Sequence, residues 1–303
     1  MGAFLLSFIV FPSPFFSTSY LLYRKTGDLS RWEDIAMICG FWLDFFPKKI
    51  YNRGETTGKQ VETMIFYYIR HGDPIYNPNG LTPLGARQAE ALGKRFAVHG
   101  LDRIFASSSE RAIQTAKPAA ELLKKNIEIL DWANEDYAWQ ELTVRNEKGE
   151  PEEWCFDDRE FARFMNTEEV RALGDQWYRH PELARFEAGY RRIAEAADAL
   201  LESLGYRHDL KTHTFEQIRP NNDRVALFAH GGTGKTFLSH VLDMPFPAFT
   251  THFDISHSTM TVINFGEPHK DNDPIVPGVL QFSGDSHLYK DGLPTKFCNR
   301  FYI

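Results

Sequence analysis

The chain has 303 residues, 41 acidic against 34 basic, a net charge of −7 with neutral histidines, and 43% hydrophobic residues. That apolar content excludes an intrinsically disordered chain, and an acidic balance without long Lys/Arg runs excludes a nucleic-acid binder, since neutralising phosphates needs clustered cations. Cys39, Cys155 and Cys298 are odd in number and far apart, so neither a zinc ribbon nor a disulfide framework is expected, and a reducing, cytoplasmic setting fits.

From Ala3 to Tyr23 no charged side chain occurs, and Arg24-Lys25 follow at once. Length alone allows a membrane anchor through residues 3–23, but Pro12 and Pro14 interrupt the run and no positive charge precedes it. Residues 1–63 are therefore read as an N-terminal extension with three alternatives: an apolar anchor, an amphipathic covering segment, or a non-native start ahead of Met64. Residues 64–303 hold the domain.

Ile65 to Ile69 is an aromatic and β-branched run that stops at Arg70-His71-Gly72, a buried strand ending in a loop. Thr82-Pro83 starts a helix with a capping hydroxyl and a proline at the first position, and Ala86, Ala89, Leu92 and Phe96 recur at helical spacing to near Gly100. Asp102 to Ala106 predicts a strand, and Ser107-Ser108-Ser109 then cap a helix carrying Ala112, Ala116 and Leu123. Ile127 to Leu130 is a further strand, and residues from about 131 to 181, rich in Trp and Glu without a clean period, predict a mostly helical insertion. Leu183 to Leu204 reads as a long amphipathic helix, Arg224 to Ala229 as a strand ending at His230-Gly231-Gly232, and about Lys235 to Leu242 as a helix. Met260 to Phe265 and Val279 to Phe282 complete the strands. Their alternation with helices predicts an α/β fold with a mostly parallel sheet and helices on both faces.

Open α/β sheets bind ligands at the carboxyl ends of their strands, and here two strands end in His-Gly, at His71 and His230. Either histidine alone would be an ordinary structural side chain. Arg70 beside one, and Arg111 on the helix after another strand, place cations next to an imidazole, and the glycines expose backbone N–H groups, so the set favours an anion. Gly231-Gly232-Thr233-Gly234-Lys235-Thr236 superficially suggests a phosphate-cradling P-loop, but that motif needs glycine at 229, where Ala229 stands.

Ile69-Arg70-His71-Gly72, Leu81-Thr82-Pro83-Leu84-Gly85-Ala86-Arg87-Gln88-Ala89, Ser109-Glu110-Arg111-Ala112-Ile113-Gln114-Thr115-Ala116 and Ala229-His230-Gly231-Gly232 together resemble the histidine phosphatase superfamily, in its phosphoglycerate-mutase-like branch. The resemblance runs from about Met64 to Phe282 and weakens through the insertion. It implies a phosphohistidine intermediate, no cofactor and no metal. By the same resemblance His71 is the phosphorylated residue, His230 the second pocket histidine, Arg70 and Arg111 the phosphate-binding arginines, and Asn77 and Gly231 further phosphate contacts.

The chemistry suits those residue types. A neutral imidazole attacks phosphorus in line, and guanidinium forks bind the equatorial oxygens while charge repulsion keeps the imidazole unprotonated. The leaving alkoxide needs a proton and the attacking water must later lose one, so a carboxyl is required. The resemblance places it at Glu135, in a loop that lacks the family's usual glycines, which leaves Asp136 and Glu141 as rivals. The expected partner is a small-molecule phosphate ester and the expected reaction hydrolysis, with a mutase-type phosphotransfer or non-catalytic phospholigand binding as alternatives. Trp139 and Trp154 are expected in a lid over the pocket, His257 and Ser258 at its mouth or in a loop, and His208 and His213 in a solvated loop without metal-ligand spacing.

Overall fold

The computed structural model describes residues 8–11, 20–23, 63–266, 273–297 and 301–302. The chain divides into two compact units, residues 1–60 and 61–303. In the first, the described residues are two short strands, Phe8–Phe11 and Tyr20–Tyr23, paired antiparallel with Phe8 opposite Tyr23. The rest of the apolar segment that allows an anchor lies outside the described residues, and no helix among the described residues is long and apolar enough to cross a membrane.

The second unit is an α/β domain on a six-stranded sheet. Its strands are β1 (Ile65–Arg70), β2 (Arg103–Ser107), β3 (Ile127–Leu130), β4 (Arg224–Ala229), β5 (Met260–Asn264) and β6 (Gly278–Gly284), in the spatial order β6-β5-β1-β4-β2-β3. β1, β4, β2 and β3 run parallel, and β5 is antiparallel to both β1 and β6. The principal helices are α1 (Pro83–Ala97), α2 (Glu110–Leu123), α3 (Glu135–Glu141), α4 (Glu187–Ser203), α5 (Gly231–Val241) and α6 (Phe246–His252).

Period-two alternation in β4 explains why both faces are covered. Val225, Leu227 and Ala229 enter one core with Leu200 and Leu201 of α4 and Phe237 and Leu238 of α5, while Ala226 and Phe228 enter the other with Leu92 and Phe96 of α1 and Ala116 and Ala119 of α2. The start of α1 is set as its sequence predicts. Thr82 Oγ1 accepts from the Gly85 N–H at 3.0 Å and donates to Asp73 Oδ2 at 2.7 Å. The loop after β1 lies so close to this turn that a Cβ on Gly72 would stand 2.7 Å from the Gly85 carbonyl oxygen, and one on Gly85 2.2 Å from that of Asp73. Two glycines therefore bring His71 down onto α1.

Two expectations are corrected and one is extended. The insertion holds α3, the short helices Arg159–Met165 and Glu168–Arg171 and the 3-10 turns Asp131–Ala133 and Gly174–Arg179, and beside them an antiparallel hairpin of Thr143–Arg145 with Pro151–Trp154. Asn146, whose Oδ1 accepts from the N–H groups of Lys148 and Glu150, and Gly149 at φ +78° make its turn. Residues 207–209 belong to a strand of a second hairpin, Tyr206–Asp209 with Thr214–Gln217, and the His208 side chain is only 1% exposed, whereas His213 stands in the exposed turn, as expected. Finally, α5 starts at Gly231, four residues before its predicted start, and all eleven of its residues are buried. Tertiary packing outweighs the low helix propensity of its three glycines.

Candidate active site

The carboxyl ends of β1, β2 and β4 bring the charged motif residues together. His71 follows β1, His230 follows β4 and caps α5, Arg111 stands in the first turn of α2 after β2, and Glu135 opens α3 after β3. One ligand-type atom from each of His71, Glu135 and His230 lies within 4.8 Å of the others, and the two imidazole rings are 5.2 Å apart.

Both histidines and Arg111 are buried. His71 Nδ1–H donates to the Gly72 carbonyl at 2.7 Å, which leaves Nε2 as the unprotonated nitrogen, and Nε2 has no hydrogen-bond partner. Burial, then His230, Arg70 and Arg111, hold the His71 pKa well below the ordinary imidazole value. Burial, then Arg111 and Arg70, do the same at His230. Ser107 Oγ accepts from the Ser109 N–H and lies 2.8 Å from His230 Nε2. His230 Nδ1 lies 3.6 Å from the Glu135 carboxylate, which favours the tautomer with the proton on Nδ1 and with Ser107 donating to Nε2.

Glu135 bridges two elements. Its Oε2 accepts from Arg111 at 2.9 Å and its Oε1 from the Gly232 N–H at 3.1 Å, on the N-terminal turn of α5 where the helix dipole favours negative charge. Arg70 is fixed by donating to the Ile255 carbonyl at 2.6 Å, and a Cβ on Gly231 would come within 3.2 Å of its Cζ, so glycine there gives the guanidinium room. Two guanidinium groups against one carboxylate leave a net positive centre that opposes a cation among these ligands and suits an anion.

Of the nine buried side-chain polar atoms without a hydrogen-bond partner among the described residues, six belong to Arg70, His71, Arg111, His230 and His257. Buried donors and acceptors are ordinarily satisfied, so their concentration here makes this cluster the candidate site.

Five residues join the site that sequence reasoning missed or left open. His257 is fully buried, with its ring 5.4 Å from that of His71 and Nδ1 3.7 Å from Asp73 Oδ1. Ser107, the last residue of β2, sat within a motif read only as a helix cap. Asn79, not Asn77, carries the polar contacts of its hairpin, with Oδ1 accepting from Arg111 at 3.1 Å and Nδ2 donating to Ser109 Oγ at 3.0 Å, while Asn77 is exposed. Lys235 donates to Asp157 at 3.1 Å above the Phe156 ring, and Thr236 Oγ1 bonds the Gly232 carbonyl at 3.1 Å, so the Gly-Lys-Thr sequence is helix rather than phosphate loop. Ser258 is buried and its N–H donates to the His71 carbonyl at 2.9 Å, which places it under the site rather than at its mouth.

A cavity of about 240 Å³ is lined by Arg70, Glu135, Gly231 and Gly232 from this cluster and by Trp154, Phe156, Lys235 and Asp157 beside it. Trp154 stacks on Phe156 at 5.4 Å, meets Trp139 edge-on at 5.0 Å, and covers Gly232, where a Cβ would overlap its ring at 2.5 Å. Of the rivals to Glu135, Glu141 is engaged by Arg192 at 2.7 Å.

Neutral buried histidines tie stability to pH. In the unfolded chain imidazoles take up protons below about 6.5, whereas His71, His230 and His257, the last held down chiefly by burial and then by Arg70, stay neutral in the fold. The unfolded state then binds more protons, so stability falls as pH drops through that value. Urea midpoints measured from pH 7 to 5 are expected to fall, and more shallowly in His257→Gln; an unchanged slope in that variant contradicts the assignment.

A family model described as histidine phosphatase superfamily (branch 1) matches residues 66–272. The fold is similar to phosphoserine phosphatase from Entamoeba histolytica, solved with 3-phosphoglyceric acid, at 18% identity and TM-score 0.46 over 74% of this chain and 99% of that one. It is also similar to native mycobacterial glucosyl-3-phosphoglycerate phosphatase, at 16% identity and TM-score 0.41 over 74% of this chain and 100% of that one. No curated protein matches the chain in sequence.

Proposed function

The chain belongs to the histidine phosphatase superfamily, and from that premise we propose that it hydrolyses a small-molecule phosphomonoester through a phosphohistidine at His71, without a metal. The observation that carries this reading is His71 itself: Nδ1 tied to the Gly72 carbonyl, and Nε2 unprotonated, unpartnered and flanked by cations.

In the first step the Nε2 lone pair attacks phosphorus while Arg70 and Arg111 hold the equatorial oxygens and the His230 Nδ1–H donates to one of them. The bond to the ester oxygen breaks as Nε2–P forms, and Glu135 protonates the departing alkoxide. The approaching phosphate competes with Glu135 for Arg111. In the second step water attacks the phosphohistidine, Glu135 takes its proton, and orthophosphate and neutral His71 are regenerated. Trp154, Phe156 and Lys235 contact the leaving group, whose polar and aromatic surroundings favour a small organic alcohol.

Protein treated with EDTA and assayed at 25 °C on an aryl phosphate is expected to retain full turnover. Activity that disappears on chelation and returns with magnesium overturns the proposal in favour of a metal-dependent phosphatase.

A further inference from the structure

At the far end of α5 from the phosphate pocket a second group of histidines and carboxylates converges. His240, in the last turn of α5, sets Nε2 2.8 Å from Asp198 Oδ1 on α4, and His208, from the Tyr206–Asp209 strand, sets Nδ1 2.9 Å from that same oxygen. One ligand atom from each of the three residues lies within 4.8 Å of the others, and the two rings stand 5.0 Å apart at 65°. Two imidazole nitrogens converging on one carboxylate oxygen are a donor set for Zn²⁺, which takes histidine nitrogen at about 2.0–2.1 Å and carboxylate oxygen at about 2.0–2.2 Å. From this convergence we propose that Asp198, His208 and His240 form a structural zinc site that ties α4, the hairpin and α5 together, its fourth position taken by water.

The surroundings are those of a metal-bound histidine. His208 Nε2 lies 3.0 Å from Asp243 Oδ2 and its ring stacks on Phe215 at 4.1 Å and 10°, so tautomer and orientation are fixed from outside. Tyr190 Oη lies 3.4 Å from His240 Nδ1. Asp198, Asp243 and the carbonyl end of α5 supply negative potential. On binding, the His208 Nδ1–H bond breaks and its proton leaves to solvent as the nitrogen–zinc bond forms. At His240 the proton moves from Nε2 to Nδ1, beside Tyr190. Ten residues of helix separate His240 from His230, ~15 Å at the α-helical rise, so the ion would stand apart from the reacting phosphate.

The test uses full-length protein stripped with EDTA, dialysed and titrated with ZnCl₂ by calorimetry, together with anomalous diffraction from crystals soaked in ZnCl₂. One equivalent is expected per chain, with a Tm rise of about 5–10 °C at hundredfold excess over Kd and an anomalous peak between Asp198, His208 and His240. His240→Gln should abolish stoichiometric binding, Asp243→Asn should weaken it about 10–100-fold, and His71→Ala should leave it intact. If His240→Gln does not fold, the wild-type peak and the Asp243→Asn affinity still decide. Absence of a saturable site, or an equivalent lost in His71→Ala and kept in His240→Gln, overturns the proposal. Turnover of the stripped protein at 25 °C is expected to be unchanged, which separates failure of this site from failure of the phosphatase reading.

Discussion

His71→Ala should lower turnover of an aryl phosphate by about 10⁴-fold or more while orthophosphate still binds. The two consequences separate because they rest on different groups. The nucleophile is one nitrogen, and the proposed mechanism offers no second route to a covalent intermediate. Phosphate binding depends on Arg70, held by the Ile255 carbonyl, and Arg111, held by Asn79, Ser109 and Glu135, none of which uses the His71 side chain. The fold should survive, because the substitution removes an imidazole buried beside two guanidinium groups with one nitrogen unpartnered. Steady-state rates together with orthophosphate competition measure both effects. A residual rate within tenfold of wild type would place the nucleophile elsewhere.

Glu135→Gln should produce a loss that depends on the leaving group. Glutamine keeps the volume and can still accept from the Gly232 N–H, but it cannot deliver a proton to the departing oxygen. An alkyl phosphate, whose alkoxide must be protonated, should slow by about 100-fold or more, whereas the first step with an aryl phosphate should be much less affected. Losing the carboxylate also frees Arg111 from its ion pair, so orthophosphate should bind no more weakly than before. Glu141→Gln is the control, since Glu141 is already engaged by Arg192. If Glu135→Gln slows both substrates equally while Asp136→Asn or Glu141→Gln shows the leaving-group dependence, the acid lies elsewhere in this loop.

Where a structural feature depends on neighbours in the chain, it could be read from the sequence. Strand β4, the Thr82-Pro83 helix start and the histidines ending β1 and β4 each carry their signal within a few residues. The features that escape depend on tertiary partners. The His208 side chain is covered by Phe215 across its own hairpin, by Asp198 of α4 and by Asp243 beyond α5, and nothing in the local polar sequence reports that packing. His257 lies on a loop without periodicity and meets His71 only through the fold. The start of α5 was obscured by glycines that are unfavourable for a helix but necessary here, since Cβ atoms at Gly232 and Gly234 would overlap the rings of Trp154 and Tyr68. The resemblance offers Asn77 as a phosphate contact, and the pairing of Pro74–Tyr76 with Asn79–Leu81 sets its neighbour Asn79 against Arg111.

The covalent step can be observed directly by mixing the protein with a ³²P-labelled aryl phosphate, quenching in alkali within a turnover and mapping the labelled peptide. Label that survives alkali, is released by acid, sits on the peptide containing His71 and is missing from His71→Ala is the predicted result. Alkali-stable, acid-labile label on a peptide containing His230 or His257 instead, or turnover without label in Glu135→Gln under conditions where dephosphorylation is slowed, would contradict a phosphohistidine at His71.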